Sequence, residues 1–188
     1  MARALGLVLA AGEGRRFGGP KAPAVVGGER LVDRAVRVLH EGGCAPVLVV
    51  LGAWTGDVPG AEIVVNPRWS EGMGSSLQAG LDELRRRPDA AGDDRVVVTL
   101  VDLPGLTAEA VRRLLASPAA LAAAAYHGER GHPVLLGAQH WAGVAQAARG
   151  DAGARDYLRA HAEELDLVEV GDVADGCDLD TPHGDPRD

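Results

Sequence analysis

The sequence is poor in aromatic residues and in net positive charge, and each shortage excludes a kind of partner. Phenylalanine, tryptophan and tyrosine make up only 3% of the 188 residues, so a surface that binds nucleic acid by stacking bases on aromatic rings is not expected. The formal net charge of -8 also argues against a general binder of the phosphate backbone, which needs a basic surface. A small anionic ligand held by a few local groups is compatible with both observations.

Cysteine and long apolar runs are also scarce. Cys44 and Cys177 lie far apart and belong to no Cys/His cluster, so we expect reduced thiols and no structural zinc site. No apolar run is long enough to cross a bilayer, and the amino terminus does not resemble a signal peptide. We therefore expect a cytoplasmic protein without a membrane or nucleic-acid partner, organised as one domain over 1–188 with an acidic tail at about 183–188.

The chain does contain a regular alternation of short apolar runs and amphipathic segments. The apolar runs that predict buried strands, the fifth as a strand or its flank, are 4–10, 46–52, 62–66, 95–102, 132–137 and 165–170. The segments whose apolar residues recur at helical spacing are 30–43, 73–87, 107–117, 139–149 and 154–164. The alanine-rich segment 121–127 suits either a helix or a strand.

This alternation predicts the fold class. Strands that are apolar throughout and separated by helices indicate a mostly parallel sheet covered on both faces. The predicted fold is therefore α/β: a three-layer α/β/α sandwich with a Rossmann-like, mostly parallel sheet. In such sheets ligands bind outside the carboxyl ends of the strands, so functional residues are expected just after positions 10, 52, 66 and 102.

The stretch LAAGEGRRFGGPKAP, residues 9–23, follows the first predicted strand and combines glycine with positive charge. Glycines allow backbone N–H groups to turn inward around phosphate oxygens. Arg16 and Lys21 can supply charge for a polyphosphate and, being long cations, are expected to serve the ligand and not the fold. Two common phosphate motifs fail, because the dinucleotide fingerprint would need glycine at Phe17 and the P-loop would need lysine at Pro20.

The loop instead resembles the opening pattern of the MobA-like nucleotidyltransferases, L-A-A-G-x-G-x-R-[FM]-G-x-x-K. Every fixed position of that pattern is present, namely Leu9, Ala10, Ala11, Gly12, Gly14, Arg16, Phe17, Gly18 and Lys21. Later segments resemble the same family in the same order: 66–81, 100–107, 130–137, 150–158 and 178–185. Within the family the chain resembles the molybdenum cofactor cytidylyltransferases, and it departs from the family pattern at Leu103, His183 and Gly184.

The resemblance implies a fold of the nucleotide-diphospho-sugar transferase type and a Mg²⁺-dependent nucleotidyl transfer. CTP is the implied donor, molybdopterin the implied phosphorylated acceptor, and a molybdoenzyme a further candidate partner. Arg16, Lys21 and Asp102 are the implied catalytic residues. Asp102 and Asp180 are the implied Mg²⁺ ligands, since carboxylate oxygens suit that ion, while Asp178 either shares this duty or caps a turn.

The residues that the resemblance assigns to nucleotide binding are Leu9, Ala10, Ala11, Gly12, Gly14, Arg16, Lys21, Asn66, Gly72 and Ser75. Two alternatives stay open: Ser75 and its neighbour Ser76 could cap the following helix, and Asn66 could open a turn. CTP is expected to be preferred over GTP because relatives that use GTP tend to carry glycine at the position of Ala11. A methyl group there narrows the space beside the base.

The residues assigned to the acceptor are His132, Asp151 and Arg155. His132 could equally be a hydrogen-bonded histidine near the sheet edge, and Arg155 an exposed helix residue. Two other functions also fit the sequence. The protein could use a sugar phosphate, polyol phosphate or phospholactate-type acceptor, or it could be a non-catalytic nucleotide-binding partner of a molybdoenzyme. The presence of Lys21, Asp102 and Asp180 argues against the last alternative.

Overall fold

The structure, a computed structural model, describes residues 3–180 of the chain. The strands are β1 (Ala4–Leu9), β2 (Val25–Val26), β3 (Glu29–Arg30), β4 (Val47–Leu51), β5 (Glu62–Val65), β6 (Arg95–Leu100), β7 (Leu121–Tyr126), β8 (Glu129–Gly137) and β9 (Leu165–Glu169). The α-helices are α1 (Leu31–Glu41), α2 (Met73–Arg86), α3 (Ala108–Ala116), α4 (Ala138–Ala147) and α5 (Arg155–Ala160), and a 3-10 turn over Trp69–Glu71 precedes α2. None of these helices is long and apolar enough to cross a membrane.

Seven of the described strands form one sheet in the order β5-β4-β1-β6-β8-β7-β9. The strand β1 pairs in parallel with both β4 and β6. The strand β8 runs antiparallel to β6 and to β7, while β7 pairs in parallel with β9. The sheet is therefore mostly parallel with one reversed strand, and the predicted α/β class is confirmed.

The hydrophobic core lies on both faces of this sheet. Side chains alternate between the faces of a strand, so Val8 packs with α1 and α3 on one face while Leu7 packs with α2 and α4 on the other. Leu39 of α1 and Leu81 of α2 are completely buried in these two layers. Covering both faces explains why the central strands are apolar throughout.

The structure settles one open alternative and adds one element that was not predicted. The alanine-rich segment left open between helix and strand forms β7, in which Ala122–Ala125 are buried between β8 and β9. A short hairpin of β2 and β3 was not predicted; Gly27 and Gly28 form its turn with φ angles of 60° and 85°, a left-handed pair typical of two-residue hairpin loops.

The carboxyl ends of β1, β4 and β6 meet at one edge of the sheet because these three strands are parallel neighbours. The glycine-rich loop leaves β1 at this edge, and Asp102 follows β6 there. The chain returns to the same edge near its described end, where the backbone N–H of Leu179 donates a hydrogen bond of 2.9 Å to the carbonyl oxygen of Asp102. The fold thus brings together three segments that are far apart in sequence.

Candidate active site

A cavity of about 550 Å³ opens at this edge of the sheet. Its size is within the range of roughly 300–1,000 Å³ usual for small-molecule sites. The sequence-predicted residues that line it are Leu9, Ala10, Ala11, Gly12, Gly14, Arg16, Lys21, Gly72, Asp102, Asp151 and Asp180. We call this space the first cavity; its lining combines the glycine loop, two cations and two carboxylates predicted to act together.

The glycine loop is held in its turn by its own backbone. The N–H groups of Gly18 and Gly19 donate to the carbonyl oxygen of Gly14 at 2.9 and 3.1 Å. Gly14 has a φ of 63°, and a Cβ atom added to it would lie 1.9 Å from the carbonyl oxygen of Gly19. No other residue type fits there without moving the loop. Arg16 extends from the same loop with 84% of its side chain exposed, so it is free to approach an anion.

Lys21 connects the loop to the predicted metal ligands. Its Nζ atom donates to Oδ2 of Asp102 at 2.7 Å and lies 4.0 Å from Oδ1 of Asp180. The side chains of Lys21 and Asp102 are only 15% and 19% exposed. The sequence assigned Lys21 to the ligand and not to the fold; in the structure its ammonium is also sheltered in an ion pair with Asp102, so a structural role stands beside the predicted one.

The two carboxylates predicted to act as a pair are close together, since each lies within 4.0 Å of the same ammonium nitrogen. Arg16 adds a second, weaker approach, with Nη1 lying 3.9 Å from Oδ1 of Asp180. Loss of surrounding water raises the pKa of neighbouring Asp178, and the charges of Asp102 and Asp180 raise it further, while Lys21 opposes the shift. Burial is thus the main cause of the raised pKa, and the two neighbouring carboxylates add to it.

The donor set fits a divalent cation that arrives with a polyphosphate. Residues 3–180 hold no group of three or more His, Cys, Asp or Glu side chains placed to bind a metal ion by themselves. Mg²⁺, however, commonly takes one or two carboxylates from the protein and its other ligands from water and substrate phosphates. Asp102 and Asp180 are hard oxygen ligands of this kind.

Asn66 and Ser75 lie behind the wall of the first cavity and do not belong to its lining. The Nδ2 group of Asn66 donates to Oγ of Ser75 at 2.9 Å and to Oγ of Ser76 at 3.1 Å, and its Oδ1 accepts from the N–H of Arg68 at 2.9 Å. Neither serine caps α2, whose cap residue is Gly72. The network fixes the segment before α2, and Ser76 is the serine that reaches the cavity.

Trp69 and Met73 also line the first cavity, although they were not among the predicted site residues. They belong to the segment 66–81, in which the family resemblance had assigned other residues to nucleotide binding, so their position in that segment could have indicated them. Gly72, between them, has a φ of 103°, and an added Cβ would lie 2.6 Å from the backbone of Gly150. This close approach brings Asp151 into the first cavity.

A second cavity of about 180 Å³ adjoins the first and shares Leu9 and Met73 with it. Its walls are largely apolar, and its polar side chains are those of Arg130, His132 and Arg155. The predicted acceptor residues are therefore divided, with His132 and Arg155 here and Asp151 in the first cavity. Arg130 was missed, although it is only two positions before His132.

His132 is the most unusual polar group of the second cavity. Its Nδ1 atom is buried and has no hydrogen-bond partner within the described residues. Burial lowers the pKa of His132, and the charges of Arg130 and Arg155 lower it further, against the opposing influence of a Val98 backbone hydrogen bond. Burial therefore favours the neutral imidazole, and its Nδ1 atom is a buried polar group left without a partner in residues 3–180, at the edge of the second cavity.

Fold and site together define a nucleotide-dependent transferase, and comparison with known proteins gives the family. The model of the MobA-like NTP transferase domain matches residues 6–165. The chain belongs to this family, whose members bind a nucleoside triphosphate and a phosphorylated acceptor and typically depend on a divalent metal. The resemblance found in the sequence is thereby confirmed, and so is nucleotidyl transfer as the class of activity.

Two relatives carry different names. A protein of Paenarthrobacter nicotinovorans named nicotine blue oxidoreductase is 40% identical over 94% of this chain and 91% of its own length. A probable molybdenum cofactor guanylyltransferase of Opitutus terrae is 38% identical over 55% of this chain and 50% of its own length. These names agree on neither the nucleobase nor the acceptor.

Solved structures support the same fold. The homologue of Rv0371c from Mycobacterium sp. strain JC1 superposes with a TM-score of 0.77 at 29% identity, covering 95% of this chain and 91% of that chain. Rv0371c of Mycobacterium tuberculosis H37Rv, solved in complex with manganese, has a TM-score of 0.73 at 22% identity, covering 95% and 92%. The second likeness supports the fold alone, and the manganese belongs to that protein.

Some predictions concern residues that the structure does not describe. They are the closing motif residues Thr181, Pro182 and Asp185, the departures His183 and Gly184, and the tail at 183–188.

Proposed function

We propose that this nucleotidyltransferase moves CMP from CTP to the phosphate of molybdopterin, with Mg²⁺ as the cofactor. The observation that carries the proposal is the meeting of Lys21 with Asp102 and Asp180 beside the glycine loop. Cations for a triphosphate and carboxylates for a divalent ion line one cavity. The family gives the reaction class, while CTP, Mg²⁺ and molybdopterin are the proposed particulars.

The chain's own groups bind and orient the triphosphate. The glycine loop provides backbone N–H groups next to the exposed side chain of Arg16. Lys21 can turn from Asp102 to a phosphate oxygen within the same cavity. Asp102 and Asp180 would hold the cation, which when bound would offset negative charge on the phosphates. Charged and polar groups that are already in position before the reaction usually make the largest contribution to stabilising its transition state.

The reaction is a substitution at phosphorus. An oxygen of the acceptor phosphate forms a bond to the α-phosphorus while the bond from that phosphorus to the bridging oxygen breaks. The electron pair of the broken bond leaves with pyrophosphate. Lys21 and Arg16 stabilise this growing negative charge, which is the main task of the protein in transfers of this type.

The acceptor is proposed to lie where the two cavities meet. His132 and Arg155 line the second cavity and Asp151 lines the first, so a ligand that contacts all three must span the junction. This position directs an acceptor phosphate toward the site of the triphosphate. A sugar phosphate, polyol phosphate or phospholactate-type acceptor is the alternative within the same reaction class.

The nucleobase preference rests on the first cavity. Ala11 is 4% exposed in its wall, and its methyl group takes space that a glycine would leave open. The smaller pyrimidine base is favoured by this restriction. A difference of one small group in a pocket is worth roughly 1–3 kcal/mol.

Incubation with each nucleoside triphosphate, Mg²⁺ and a panel of phosphorylated acceptors tests the proposal, with product masses as the readout. We expect a cytidylated acceptor and pyrophosphate, with molybdopterin the best acceptor. A guanylated product would overturn the choice of CTP, and another acceptor would overturn molybdopterin. Parallel assays follow oxidation of NADH and NADPH, because one relative bears an oxidoreductase name; nicotinamide oxidation without any nucleotidyl product would overturn the function as a whole.

A further inference from the structure

Arginine side chains without a protein partner distinguish the second cavity from the rest of the described structure. Most arginine side chains in residues 3–180 form a hydrogen bond or an ion pair with a carboxylate or a carbonyl oxygen, as Arg37 does with Glu29 at 2.8 Å. Arg130, Arg149 and Arg155 are the exceptions, with neither an ion pair nor a side-chain hydrogen bond in that part of the chain. These three residues are exposed, so in a protein with a net charge of -8 their guanidinium groups are available to an external anion.

Two of these three arginines line the same small space. Arg130 lies in β8 and Arg155 begins α5, and both side chains border the second cavity. Both also act on His132, whose pKa they lower through their positive charge. Arg149 lines neither cavity. The second cavity therefore holds two positive charges that have no protein partner, together with a buried imidazole nitrogen that also lacks one.

The remaining walls of the second cavity favour an apolar body. They include Leu77, Val98, Val134, Leu136 and Leu158, which belong to the core layer of α2 and α4. These side chains are 0–4% exposed and offer no polar partner, so an inorganic ion gains nothing from these walls, whereas an ester of phosphate can place its organic group against them. The volume of about 180 Å³ suits a group of roughly ring size, so of a larger acceptor only the part next to its phosphate would enter.

We propose that the second cavity binds a phosphomonoester, with Arg130 and Arg155 holding its phosphate and the apolar walls holding a compact organic body. The inference rests on the proposed function in one respect, since it takes this ester to be the acceptor. Guanidinium groups match phosphate oxygens in a planar, two-pronged geometry. Arg130 thereby becomes an acceptor-binding residue that decides which phosphorylated molecules enter.

Calorimetry with phenyl phosphate and with inorganic phosphate tests the proposal without nucleotide. Phenyl phosphate should bind the unmodified protein more tightly than inorganic phosphate does. Arg130→Gln and Arg155→Gln should each weaken phenyl phosphate about 10-fold or more, as expected for a lost charge-assisted hydrogen bond. Arg149→Gln is the matched control, because it removes an equally unpaired arginine outside the cavity, and it should change binding less than about 2-fold.

Three results would overturn the proposal. The first is an equal loss of affinity for phenyl phosphate in Arg149→Gln, which would show that the effect comes only from the change in net charge. The second is unchanged binding in Arg130→Gln and Arg155→Gln. The third is displacement of phenyl phosphate by inorganic tripolyphosphate, which would place the ester in the first cavity. Unfolding curves of all variants confirm that each is folded before its binding is compared.

The outcome is separable from that of the proposed function. If CMP transfer occurs while the arginine variants bind phenyl phosphate normally, the ester subsite is wrong and nucleotidyl transfer stands. If the variants lose phenyl phosphate while no nucleotide is transferred to any acceptor, the subsite stands and the proposed acceptor chemistry fails.

Discussion

The Nζ atom of Lys21 lies 2.7 Å from Oδ2 of Asp102, a residue 81 positions later in the sequence. The same nitrogen lies 4.0 Å from Oδ1 of Asp180, so one ammonium group lies near two carboxylates and offsets only one of their two negative charges. These are the groups proposed to receive the triphosphate and its cation. Under the proposed function, substrate binding would move the lysine to phosphate oxygens, and the two carboxylates would then hold the cation.

Replacing Lys21 should affect both stability and activity. Lys21→Met leaves a sheltered carboxylate without its partner, and a free energy of unfolding lower by about 1–3 kcal/mol is expected. Nucleotidyl transfer should fall roughly 10²-fold or more because a cation that stabilises the leaving group is lost. Urea unfolding and initial rates measure the two effects. Arg15→Met is the control, since Arg15 belongs to the same loop and its side chain is 84% exposed.

A double-mutant cycle separates the ion pair from other effects of the lysine. In the Lys21→Met, Asp102→Asn double variant, much of the stability lost in Lys21→Met should return, because no unpaired charge is left behind. Additive losses in the cycle would contradict the interpretation of this contact as a coupled pair.

The two carboxylates should behave as a unit in catalysis. Asp102→Asn and Asp180→Asn keep the side-chain shape and each remove one charge, so we expect each to lower the rate roughly 10²-fold. The double variant should be little worse than either single variant, since both changes disable the same cation site. Titration of Mg²⁺ in steady-state assays measures this, and Mn²⁺ binding followed by electron paramagnetic resonance gives a readout independent of turnover. Full activity of either variant at low Mg²⁺ would refute shared ligation.

The base preference should depend on one methyl group. Ala11→Gly opens space in the wall of the first cavity, and the affinity for GTP relative to CTP should rise by roughly 10-fold, about 1.4 kcal/mol. Calorimetry with Mg²⁺ present gives both affinities. Tighter binding of GTP than of CTP by the unmodified protein would contradict the assignment of this position.

Much of the site could be predicted because its residues are marked by local pattern and by the parallel-sheet rule. The glycine loop and Asp102 follow β1 and β6 directly, so their meeting needs only the strand order. The ion pair of Lys21 could not be predicted, because its burial depends on the chain segment around Asp180 returning to this edge. For Asn66, the pattern located the segment but not the direction of the side chain, which turns inward to Ser75.

The fold shows the same division between local and tertiary information. Apolar runs and helical periodicity predicted most elements, since these patterns arise from burial on one or both faces. The run of alanines in β7 has no such pattern and is also compatible with a helix. Pairing with β8 and β9 makes the segment a strand. The sequence of the segment itself does not show that these two strands will be its neighbours.

Acid sensitivity should depend on a buried carboxylate far from the site. Asp94 is fully buried, and its hydrogen bond from Arg3, aided by backbone N–H donors, lowers its pKa from 3.8 to about 2. A lowered pKa in the folded state adds stability above pH 3.8, and this stability is lost as the pH falls from 3.8 toward 2. The contribution at neutral pH is about 2 kcal/mol.

Urea unfolding across this pH range tests the role of Asp94. Asp94→Asn should lower the free energy of unfolding at pH 7 and flatten its dependence on acid pH, since the variant has no carboxyl to protonate. Asp93→Asn, which changes an exposed neighbour, is the control and should leave both unchanged. An equally steep acid dependence in Asp94→Asn would show that other groups are responsible.

The central claim, nucleotidyl transfer to a phosphorylated acceptor, is tested most directly with CTP labelled at the α-phosphorus. The protein is incubated with this CTP, Mg²⁺ and molybdopterin, and the products are separated and weighed by mass spectrometry. We expect the label in a cytidylated acceptor, with pyrophosphate formed in equal amount and no product in Lys21→Met at comparable times. Label that stays in CTP, or that is released as free CMP while the acceptor is unchanged, would contradict the account.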